Sequence, residues 1–152
     1  MDLVDTDVDT CLEKIVSINY HSDYTFQDDK MELTYDGYII KTNKQDIQVF
    51  ISNEQICCEG WSVNLRYQDH KYTGPYIPQL TDFIVTDKPK WKDTKIGNEA
   101  DETGDKYENE FVITIPLQDD QNIKIIVRNT HNGYYKHYYY VTWKDYKNCD
   151  SF

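Results

Sequence analysis

The chain has 152 residues, 16 of them Lys or Arg against 27 Asp or Glu, for a formal net charge of −11. That length suits one domain with its own core, and the acidic balance repels phosphate backbones and anionic lipid, which argues against direct nucleic-acid or membrane-surface binding. Fourteen tyrosines and three tryptophans suit a pleated, half-buried surface better than a helix, so the composition reads as β-rich.

Residues 1–10 alternate Asp with Leu, Val and Thr, too little bulk for a core, and form an N-terminal arm. The chain shows neither the basic and apolar regions of a signal peptide nor the ~18 apolar residues of a membrane span, so a cytoplasmic, non-secreted protein is expected. Cys11 to Ile18 fits a short helix or a strand, and the β-branched continuation favours the strand. Asp36-Gly37 reads as a turn before a strand Tyr38–Thr42. Asn43 to Gln45 then leads into Asp46–Ile51, a hairpin with Ile47, Val49 and Ile51 sharing one face.

Gly74, Pro75 and Pro78 predict an irregular connection over 62–79. Leu80–Thr86 reads as a strand, and 87–110 as a long acidic loop. Phe111–Leu117 and Ile123–Arg128 predict a second hairpin, with Pro116 at an edge or an end. Tyr138–Trp143 is the last strand, entered from an Asn132-Gly133 turn. The expected fold is mainly β: a small antiparallel sheet folded as a sandwich or partial barrel with room for one short helix. It forms a single domain, 1–152, whose core runs from about 31 to 143.

Two stretches concentrate the chemistry, Ile51 to Trp61 and Asn129 to His137, and each follows an apolar β-type run. They are expected side by side. Cys57 or Cys58 with His131 and His137 offers thiolate and imidazole, the ligands zinc takes. Neighbouring cysteines on a strand point to opposite faces, however, and the Cys-x2-Cys spacing is absent. The same groups would also serve nucleophilic catalysis, with Cys57 or Cys58 attacking, His131 or His137 as base and Asn132 or Glu59 orienting it. Against both stands a plain structural role for each residue. On an alternating strand, Tyr134, Tyr135, Tyr138, Tyr139 and Tyr140 cannot all point inward, so an aromatic binding surface is expected at Trp61, Tyr134, Tyr135, Tyr138 and Tyr139.

The pattern Ile51-Ser52-Asn53, Gln55, Cys57-Cys58-Glu59, Trp61, then Asn129, His131-Asn132-Gly133-Tyr134-Tyr135, His137, Tyr140-Val141 resembles an uncharacterised domain family of phage, bacterial and protist or giant-virus proteins. The resemblance spans roughly residues 37–142 and implies no activity, cofactor or catalytic residue. The preferred expectation is a non-enzymatic, acidic binding or assembly module. Its partner would be another protein or a second copy, with no nucleic acid, membrane or cofactor involved. One alternative is a zinc- or Cys/His-dependent hydrolase with its site near Cys57, Cys58, His131 and His137. Another is an acidic inhibitor that imitates nucleic acid and occupies a basic partner.

Overall fold

The computed structural model describes residues 12–54, 60–97, 107–131 and 137–152, and for 94–97, Tyr107 and His131 the backbone only. The described residues form strands and no helix. Six strands make one antiparallel sheet: β1 (Glu13–Tyr24), β2 (Tyr35–Thr42), β3 (Asp46–Ser52), β6 (Ile84–Val85), β10 (Tyr138–Trp143) and β11 (Tyr146–Ser151), in the order β11-β10-β3-β2-β1-β6. Five make the second: β4 (Gly60–Tyr67), β5 (His70–Thr73), β7 (Lys90–Gly97), β8 (Tyr107–Pro116) and β9 (Asn122–His131), in the order β5-β4-β9-β8-β7. Among the described residues no helix is long and apolar enough to cross a membrane.

The sheets pack face to face because alternate residues of each are apolar. Ile40, Ile47, Val49, Ile51 and Val141 meet Leu65, Ile113, Ile115, Ile123, Ile125 and Val127, all at 0% exposure. Area removed from water at roughly 25 cal/mol per Å² makes this layer the main source of stability. Along one side the sheets join: Thr86 N–H donates to Pro116 O at 3.0 Å, Gln118 N–H to Ile84 O at 3.0 Å, and Val85 bridges Leu117. The mainly β, packed-sheet expectation therefore holds.

The hairpins β2–β3 and β8–β9 and the strand Tyr138–Trp143 fall as expected, and β1 is the strand that its β-branched residues favoured. Tyr138–Trp143 is not the last strand, however: β11 follows and pairs with it, the turn being closed by Tyr146 stacked on Trp143. Pro116 ends β8, where no further ladder donor is needed. Other expectations give way. Residues 62–79 hold most of β4 and all of β5, because Val63, Leu65 and Tyr72 alternate inward while the glycine and prolines begin only at Gly74. The strand Leu80–Thr86 shrinks to Ile84–Val85. The acidic loop 87–110 contains β7 and the start of β8, where Lys90 and Lys92 face outward and Trp91 packs inward against Phe111. The core also reaches past 31–143, since Ile15 is 1% exposed and Phe152 packs against the inner layer.

Asp36-Gly37 is not a turn but the interior of β2. A Cβ on Gly37 would lie 2.1 Å from Val49 O and 2.7 Å from Phe50 Cα, so the glycine is required by backbone approach. Asp36 beside it is buried, and its carboxylate accepts hydrogen bonds from Tyr20 Oη at 2.8 Å, Ser22 Oγ at 3.2 Å, Asp23 N–H at 3.1 Å and Asn53 Nδ2 at 2.8 Å. Those donors tie β1 and the end of β3 to β2. We expect Gly37→Ala to destabilise the fold by about 3 kcal/mol or more, read as a fall in the urea midpoint with an unchanged slope.

Candidate functional site

The two stretches singled out in the sequence do meet at their strand ends. Gly60 pairs with Thr130 and Trp61 with Asn129 across β4 and β9. Trp61 is half-buried against the inner core. Asn129 is fully buried, and its Nδ2 donates to Phe152 O at 2.6 Å. His137 is 2% exposed, and its backbone N–H and C=O pair with those of Phe152 at 3.2 and 3.0 Å. Phe152 thus closes this end of the sandwich. His131 lies at the end of β9, its backbone opposite Tyr107.

Cys57, Cys58, Tyr134 and Tyr135 lie outside the described residues, as do the Asn132-Gly133 turn and the N-terminal arm. Among the described residues no group of three or more His, Cys, Asp or Glu side chains is placed to hold a metal ion. The remaining aromatic candidates divide by strand parity. Tyr138 is 37% exposed, whereas Tyr139 is 8% exposed and packs inward at 5.1 Å from Phe111 and 5.3 Å from Trp91. Tyr139 is therefore a core residue rather than part of a surface.

Tyr138 and Tyr140 share the outer face of the six-stranded sheet, and there the structure builds a site. The connection between β1 and β2 folds back over this face. Phe26 stacks on Tyr140 with ring centres 3.7 Å apart at 9°, and Tyr24 stacks on Phe50 at 5.0 Å. Beneath them Tyr35 and Phe50 are buried, so β3 is covered on both faces. Aromatic pairs each add about 0.5–1.5 kcal/mol beyond their buried area.

A notch of about 370 Å³ opens beside the stack, bordered by Asp28, Met31, Tyr138, Tyr140, Lys147 and Cys149. Its wall is held by charge. Tyr140 Oη donates to both Asp28 carboxylate oxygens at 2.8 and 2.9 Å, Lys147 forms an ion pair with Asp28, and the same ammonium lies 5.4 Å from the Tyr140 ring centre. Lys147 and Tyr140 donate to the Asp28 carboxylate and hold its pKa below the usual value. Tyr35 Oη donates to Asp29 at 3.0 Å and anchors the same loop. Burial pushes the Cys149 thiol above its ordinary pKa, which disfavours the reactive thiolate.

Sequence reasoning missed the notch. The available signal was Phe26 and Leu33, apolar residues on either side of the polar run Gln27 to Lys30. Comparison with protein-family models, curated proteins and solved structures finds no match.

The buried tyrosines give the fold a signature in alkali. Burial pushes the hydroxyls of Tyr38, Tyr139 and Tyr140 up to about 12. Tyr20 and Tyr35 are raised by burial and by donating to Asp36 and Asp29. In the unfolded chain these phenols ionise near ~10, so above that pH the unfolded state binds fewer protons. The stabilisation is complete below pH ~10 and is lost as pH rises from there through the folded values. Tyrosinate absorbance of the native chain should rise later than that of the urea-unfolded chain, and the urea midpoint should fall over the same interval.

Proposed function

We propose that this protein is a non-catalytic binding module that docks a partner polypeptide, or a second copy of itself, at the Tyr138 notch. The observation that carries the reading is the exposure of Tyr138 and Met31, at 37% and 51%, around a cavity bordered by Tyr140, whose ring is held by the Phe26 stack. Tyrosine and methionine are enriched in interface cores, and a side chain seated against fixed rings loses less entropy than one bound by a mobile surface. The rim carries Asp28, Asp29 and Asp150 against Lys30 and Lys147, which favours an apolar or aromatic anchor flanked by a basic group.

The test is a photo-cross-linking side chain placed at Tyr138 in cells, with the more exposed Tyr76 as the comparison position. The expected outcome is one discrete adduct from position 138, absent from 76 and lost when Met31→Asp is added. A product of twice the chain mass would identify a second copy as the partner. No adduct at 138, or the same adducts from both positions, would remove the reading.

A further inference from the structure

The outer face of the five-stranded sheet carries a charge pattern that the net acidity of the chain conceals. Arg66 on β4 stands opposite Lys71 on β5 and Lys124 on β9; beyond Lys124 the same row continues through Thr114 to Lys90 on β7. The next row reads Asn64, Ile126, Val112, Lys92. In the third, Arg128 donates to Glu110 at 2.8 and 3.2 Å. Among the described residues, Arg66, Lys71, Lys92 and Lys124 form no ion pair. Like charges directly opposite one another on neighbouring strands are unfavourable, so this row is a cost to the free chain. Two hollows of about 540 and 390 Å³ open between these side chains, with Asp69 and Asp120 at the hairpin end of the larger and Glu110, paired with Arg128, on the smaller.

We propose that this face is a docking surface for an extended acidic polypeptide segment in which every second residue, the set facing the sheet, is by turns carboxylate and aliphatic. The pair Ile126 and Val112, half-buried and adjacent, forms an aliphatic strip with cations on both sides. An extended acidic segment would lay apolar side chains on that strip and carboxylates on the flanking Arg66, Lys124 and Lys92. Nucleic acid fits less well. The described outward positions of these rows carry no aromatic ring on which bases could stack. A long phosphate chain would also run past the patch onto a protein of net charge −11. The surface lies on the other sheet from the Tyr138 notch, so each stands or falls without the other.

The test is an amide-resolved NMR titration of the full chain with a synthetic peptide of about ten residues in which aspartate and leucine take turns at every second position with serine between, long enough to cross the sheet. The expected result is shift changes centred on Arg66, Val112, Ile126 and Lys124, with affinity falling on the order of tenfold from low to high salt. Lys124→Glu, which sets a carboxylate beside Arg66, should abolish binding and raise the unfolding midpoint. Arg66→Ser serves as the second variant and should weaken binding with the fold intact. A thymidine oligonucleotide of equal charge should bind more weakly, and the same peptide with asparagine for aspartate should not bind. Equal or tighter oligonucleotide binding, shifts on another face, undiminished binding of the asparagine peptide, or wild-type affinity in either folded variant would overturn the proposal.

Discussion

Burial of β3 on both faces is the constraint from which the rest of the molecule follows. Ile47, Val49 and Ile51 point into the inter-sheet layer and Phe50 points the other way, all at 0% exposure. One face is covered by the five-stranded sheet in the ordinary manner of a sandwich. The other would stand in water, and the chain covers it with the β1–β2 connection, whose Phe26 and Leu33 pack over Tyr35, Phe50 and Tyr140. Gly37 is a local consequence, since β2 must approach the β3 backbone too closely for a side chain.

That cover is too short to seal the sheet, and the notch beside Tyr140 is what remains open. Its rim is ordered by one ionic group: Asp28 receives Tyr140 and Lys147, and Asp29 receives Tyr35. An exposed ion pair of this kind contributes little to stability. Its value is positional, because it fixes the loop that carries Met31 against the strand that carries Tyr138. Packing and the proposed function therefore share residues here, with Tyr35 and Tyr140 serving the fold while they line the cavity.

The two sheets differ in what their outer faces require. The six-stranded sheet turns aromatic residues outward and needs a cover. The five-stranded sheet turns Ser62, Asn64, Arg66, Lys124 and Arg128 outward and needs none. Clustering the cations on that face leaves the net acidity to the rest of the chain, and a single net charge describes neither part.

Strand identity was legible where β-branched and aromatic residues run together, as in Asp46–Ser52, Asn122–His131 and Tyr138–Trp143, because such side chains suit a pleated surface without help from distant chain. It was obscured where charge or turn-forming residues dominate, as in Lys90–Gly97 and at Asp36-Gly37. There the strand is specified by neighbours: Trp91 needs Phe111 to lie against, and Asp36 needs donors from Tyr20, Ser22 and Asn53. The pairing of Trp61 with Asn129 could be expected from two strands entering the same region. The inward turn of Tyr139 and outward turn of Tyr138 could not, since alternation fixes that they differ and only the position of the second sheet decides which is buried. The sequence by itself determined a β-rich chain with alternating faces. Tertiary structure alone decided the notch and the cationic row, because each is assembled from segments far apart in the chain, and contacts at such separation leave no local periodic trace.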